Sequence, residues 1–174
     1  LGSGESYEES ATVTLPSRIE GTFAIFVVTD VDDELYEHDR ENNNVRRADP
    51  LLDVFDPAAD LEAVSVLPSS YAVIAGDPLD VTWEVWNRGE ATATGSWHDV
   101  LLLSADATPN LDADIELGRY PRTTELLPDG RYNSTQTVTI PEPLDGDYWL
   151  FLLVDPGKRV HEKGRLDNNQ IPTA

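Results

Sequence analysis

The chain has 174 residues, enough for one full domain and part of a second. Its 33 acidic and 12 basic residues leave a formal charge of −21, which a nucleic-acid duplex or an anionic bilayer would repel. With no cysteine there are no disulfides, zinc–thiolate sites or cysteine nucleophiles, and the 40% hydrophobic content separates the chain from acidic disordered tails.

No apolar run approaches the roughly 18 residues of a membrane span, so no direct membrane insertion is expected from this stretch. The sequence starts at Leu1 rather than at methionine, and the expectation is an internal stretch of a longer protein. Only Lys158 and Lys163 are lysines, a balance that suits a secreted, cation-binding or salt-adapted surface, and equally plain solubility.

The first predicted strands lie in a segment that occurs twice. Residues Tyr7 to Asn44 align without gaps with Tyr132 to Asn169 at an offset of 125, with 12 identities in 38 positions. A period of that size belongs to an independent domain rather than to a solenoid repeat. Thr12-Val13-Thr14-Leu15 and Thr137-Val138-Thr139-Ile140 are β-branched and stop at a proline, so each predicts a strand. Turns follow at Gly21 and Gly146. The apolar runs Thr22 to Thr29 and Tyr148 to Val154 predict central strands, and Glu34 to Glu37 and Arg159 to Glu162 predict short ones. Residues 45–57 read as an extended linker stiffened by Pro50 and Pro57.

The second copy also has a front half. Leu61, Val64 and Val66 predict a strand ending at Pro68, and Leu79, Val81, Trp83 and Val85 mark one face of another. A turn at Asn87-Arg88-Gly89 precedes an apolar strand from Trp97 to Leu103, then a weaker one from Ile115 to Tyr120. About seven strands per full repeat, with no helical period, predict an all-β, immunoglobulin-like sandwich. The expected divisions are 1–44, the back half of a preceding repeat; 45–57, the linker; and 58–174, a complete sandwich.

Several segments together carry a family resemblance. These are Asp60-Leu61-Glu62-Ala63-Val64, Gly76-Asp77-Pro78, Trp83 to Gly89, Ser96-Trp97 and Leu102 to Asp106, followed by the aspartate, glutamate and paired asparagines of the tail. In order and spacing they resemble CARDB domains, the cell-adhesion-related domains of bacteria and archaea. The resemblance implies tandem immunoglobulin-like domains on large exported or surface proteins, with no implied catalysis. His161 in place of Tyr36, and Leu166 in place of Glu41, depart from a strict tail motif.

Among candidate sites, Asp106, Asn110, Asp112 and Asp114 put four side-chain oxygen donors within nine residues of one loop, as a calcium site needs. The same residue types also make self-capping turns. Asp30, Asp32, Asp33, Glu37 and Glu41 could bridge repeats through a cation, although the second copy keeps only Asp155 and Glu162 of these acids. Arg40 and Arg165, kept in both copies, read as ion-pair partners of nearby carboxylates. Asn133-Ser134-Thr135 is a glycosylation sequon. Trp83 and Trp97 read as core, whereas Trp86 and Trp149 could stack on sugar.

His98-Asp99 is a neighbouring pair on opposite strand faces, a poor triad geometry, and no catalytic motif occurs. The functional expectation is therefore a spacer or protomer of an extended extracellular or cell-surface protein. Its partners would be other repeats or copies, through strand complementation, and not nucleic acid. The alternative is a calcium- or carbohydrate-binding accessory module of a secreted enzyme.

Overall fold

The computed structural model describes every residue except Leu1, Ser3, Asp39, Arg40 and Ala174, and for Glu41 the backbone alone. Two compact units divide the chain, Leu1–Asp56 and Pro57–Ala174. The first contains β1 (Gly21–Phe23), β2 (Phe26–Val28), a single 3-10 turn (Glu41–Asn43), β3 (Val45–Arg47) and β4 (Leu52–Val54). The second contains β5 (Leu61–Pro68), β6 (Pro78–Asn87), β7 (Trp97–Ser104), β8 (Ile115–Arg122), β9 (Arg131–Thr139), β10 (Trp149–Val154) and β11 (Gln170–Pro172).

In the second unit these seven strands form a three-stranded sheet, β5-β6-β9, and a four-stranded sheet, β11-β10-β7-β8, with every pairing antiparallel. This is an immunoglobulin-like sandwich. The alternation in β6 does what its sequence predicts: Leu79, Val81, Trp83 and Val85 enter the core. In β5 a register shift between Ala63 and Ser65 interrupts the alternation. Ala63 and Val66 therefore both point inward while Val64 is only half-buried. β7 is buried on both faces: Leu101 and Leu103 join the main core, and Val100 and Leu102 pack with Phe151 and Leu153 in a second cluster.

Three of the strands read from sequence do not form. Arg159 to Glu162 and Glu34 to Glu37 are loops, because Asp155 and Asp30 draw the following backbone around their carboxylates. The seventh strand of the sandwich is β11 instead. Thr12 to Leu15 belongs to no strand. Its counterpart lies in β9, which pairs with β6, and among the described residues the first unit has no equivalent of β6. The expected single strand Thr22 to Thr29 is broken at Ala24 and Ile25 into β1 and β2. Residues 45–57 carry two strands rather than running unpaired, since β3 pairs with β2 and β4 with β1.

Candidate functional site

The acidic loop after β7 spends its side chains on its own backbone. Asp106 Oδ1 accepts from Thr108 N at 2.8 Å, Asn110 Oδ1 from Asp112 N at 3.0 Å, and Asp114 Oδ2 from Asn110 N at 2.7 Å. The Asp112 side chain is exposed. Pro109 and Leu111 line a shallow cavity of about 250 Å³ with Leu153 and Leu166, so the loop also shelters the outer face of the four-stranded sheet. Among the described residues, no three or more histidine or acidic side chains converge as metal ligands would.

The acids of the first unit behave similarly. Asp30 adopts φ 46° and accepts from Glu34 N and Leu35 N at 2.9 and 3.0 Å. Asp155 adopts φ 45° and accepts from Arg159 N and Val160 N at 3.1 and 2.8 Å, which is the same wrap 125 residues later. Asp32 and Asp33 are exposed and Glu37 is half-buried; the side chain of Glu41, and all of Arg40, lie outside the described residues.

The buried side chains of Glu162, Asn169, Asn87 and Asp99 organise the second unit. Glu162 Oε2 accepts from Leu61 N at 3.1 Å, and both carboxylate oxygens accept from Asn169 Nδ2. Burial pushes the Glu162 carboxyl up to about 7. Asn87 takes the amides of Asp60 and Gly89 on Oδ1 and donates to the carbonyls of Ala91 and Leu126. Asn168 Nδ2 donates to Asp60 Oδ1 at 2.9 Å. Asp99 is fully buried and accepts from Trp83 Nε1 at 2.9 Å, Arg122 Nε at 3.0 Å and Tyr132 Oη at 2.7 Å. Burial first, and then the Asp99 charge, raise the Tyr132 hydroxyl, which stays protonated. In the sequence Asp99 is legible as the neighbour of His98. A charged residue inside an apolar run that also contains Val100 to Leu103 was the signal for its structural role.

Trp83 and Trp97 are core. Trp86 is covered by guanidinium groups, with Arg88 at 3.0 Å and Arg131 at 4.6 Å from its ring centroid, so its face is not open to a sugar. Trp149 is 43% exposed. Asn133 is exposed in β9, opposite Glu84.

The largest departure from an ordinary surface is the first unit's sheet face. In β2 and β3, Phe26 pairs with Arg47, Val27 with Arg46 and Val28 with Val45. In β10 and β11, Phe151 pairs with Pro172, Leu152 with Ile171 and Leu153 with Gln170, the same register shifted by 125. The flanking bonds match too: Thr29 N to Asn44 O and Ala48 N to Ile25 O correspond to Val154 N to Asn169 O and Thr173 N to Leu150 O. Burial does not match. Phe26, Val27 and Val28 are 57%, 60% and 46% exposed, whereas Phe151, Leu152 and Leu153 are 2%, 0% and 6%. The edge of β10 that faces β7 corresponds to an edge of β2 that has no strand beside it among the described residues.

No family model and no curated protein matches the sequence. Solved structures do match. The crystal structure of the CARDB domain of the PF1109 protein from Pyrococcus furiosus, in complex with di-metal ions, is 16% identical with a TM-score of 0.50, covering 67% of this chain and 85% of that one. The chain is similar in fold to CARDB domains. The solution structure of the same CARDB domain is also 16% identical, with a TM-score of 0.49 over 67% of this chain and 92% of that one. A domain of a protein named as cell-surface, from Methanosarcina acetivorans, is 23% identical with a TM-score of 0.48, over 67% and 89%. The CARDB-like part has the size of the second unit.

Proposed function

We propose that this chain is a non-catalytic structural module of an exported, surface-exposed repeat protein, and that its first unit is the back half of a CARDB-like domain completed by further strands. The observation that carries this reading is the pair of matched hairpins, identical in register and opposite in burial. An apolar face left open in water is an interaction surface. The missing cover corresponds to β5 to β8 of the second unit, and strand addition along β2 supplies it. The partner is another repeat or another copy of the same protein.

A synthetic peptide with the sequence of residues 96–105, the strand that covers β10, is the probe. It is expected to slow amide exchange at Phe26 to Val28. Unchanged exchange there with excess peptide would overturn strand completion.

Calcium at the acidic loop is the second reading, motivated by the clustered oxygens of Asp106, Asn110, Asp112 and Asp114 and by the metal-bound PF1109 structure. It requires those side chains to exchange backbone amides for the ion. A melting rise of several degrees with calcium but not magnesium supports it, and an unchanged melt at millimolar calcium removes it.

A further inference from the structure

At one end of the second unit, Gly146 to Tyr148 borders an open cavity of about 380 Å³. Its apolar walls include Tyr71, Val73, Leu103, Leu144, Tyr148 and Leu150. Tyr71 and Val73 are exposed apolar side chains, and residues 146–148 belong to no strand.

In the first unit the matching edge has a strand paired to it. There, Gly21 to Phe23, the counterparts of Gly146 to Tyr148, form β1 and pair with β4: Gly21 with Val54, Thr22 with Asp53 and Phe23 with Leu52. The backbones agree, with φ 123° at Gly21 and 113° at Gly146. The routes into the pairing agree as well, because Ala48 N bonds to Ile25 O and Thr173 N to Leu150 O, both at 2.8 Å. Thr173 therefore stands in the second unit where Ala48, four residues before β4, stands in the first.

We infer that the edge Gly146–Tyr148 is a docking site for a short β-strand of the Leu52-Asp53-Val54 type, running on from Thr173 and closing the cavity beside it. The inference rests on reading the two segments as copies of one fold. The mode of capture is strand addition, with backbone bonds supplying affinity and the side chains supplying choice.

The site also has a preference that the first unit does not share. Thr22 Oγ1 donates to Asp53 Oδ1 at 2.8 Å across the ladder. Thr22 corresponds to Asp147, an exposed carboxylate. A strand carrying aspartate at its centre would set two like charges directly opposite one another, which is unfavourable. The second unit therefore selects a strand with a basic or hydroxyl residue opposite Asp147.

The test lengthens the 174-residue chain after Ala174 by a copy of residues 50–55, in the natural version and with lysine in place of the copied Asp53. Hydrogen–deuterium exchange is read at Gly146 to Tyr148, with Gly21 to Phe23 as the internal reference. The lysine version is expected to slow exchange at Gly146 to Tyr148 at least tenfold relative to the parent. It should also protect roughly fivefold better than the natural copy, and Asp147→Thr should restore the natural copy to the same level.

Three outcomes overturn the proposal. If Gly146 to Tyr148 exchange at the parent rate in every version while Gly21 to Phe23 are slow, the docking site is wrong and the proposed function stands. If Gly21 to Phe23 also exchange freely, both readings fall. Protection that grows with protein concentration assigns the edge to a second copy's strand and overturns docking of the chain's own continuation.

Discussion

Glu162 holds its carboxylate against Leu61 N and the Asn169 amide, and burial raises it from 4.5 to about 7. An acid that holds its proton more tightly when folded stabilises the fold at low pH and loses that contribution as pH rises. The loss falls between about pH 4.5 and 7. Wild-type stability is therefore expected to fall across that window relative to Glu162→Gln, by about 1–3 kcal/mol, in urea unfolding followed at both ends. Asp99 is also buried, and it is paired with Arg122. Asp99→Ala strands the guanidinium and the Tyr132 hydroxyl, and should cost about 3–5 kcal/mol in the same measurement. Neither role follows from the identities of these residues. An aspartate in an apolar run and a glutamate near paired asparagines are visible in the sequence. What they bond to, across 23 and 101 residues, is set by tertiary packing alone.

At the scale of elements, the alternation of β6 and the continuous apolar run of β7 were legible and local side-chain chemistry was not. β6 and β7 follow from their apolar residues. The loops after Asp30 and Asp155 looked like strands because Glu34 to Glu37 and Arg159 to Glu162 contain β-formers, yet one carboxylate per loop captures two amides and bends the chain. The acidic loop drew a metal expectation from its composition, but the observed oxygens cap neighbouring amides. Asp114→Ala leaves Asn110 N without that acceptor and is expected to cost about 1 kcal/mol in thermal unfolding. The turn after β6 is tighter. A Cβ on Gly89 would lie 2.4 Å from Ala58 O and 2.5 Å from Ala59 C, both backbone atoms that cannot swing aside. Gly89→Ala is expected to destabilise by about 1–3 kcal/mol, measured by chemical denaturation.

For the molecule as a whole, every buried apolar residue among those described lies at or after Ala58. Residues 57–174 alone are therefore expected to unfold in one cooperative transition at the melting temperature of that unit in the full chain, by calorimetry. The full chain should bind a hydrophobic dye through Phe26 to Val28, and residues 57–174 much less. Equal dye binding by the two would mean that the first unit's face is covered. The match at an offset of 125 residues was visible in the sequence. It gave no view of the strands β3 and β4, because Val45-Arg46-Arg47 and Leu52-Asp53-Val54 are too short and too polar to announce themselves.

The matched hairpins also bear on the order in which the sandwich assembles. β2 with β3 and β10 with β11 join residues near one another in sequence, and each is bracketed by an aspartate wrap that closes within five residues. The first unit keeps this geometry without any core over it, so the hairpin draws its shape from local bonds. The ladder of β6 with β9 ties Pro78 to Thr139 and must close a far longer loop. On refolding, amides of β10 and β11 are expected to gain protection in pulse labelling before those of β6 and β9. The tail of each domain would then be a preformed template onto which the slower strands are laid.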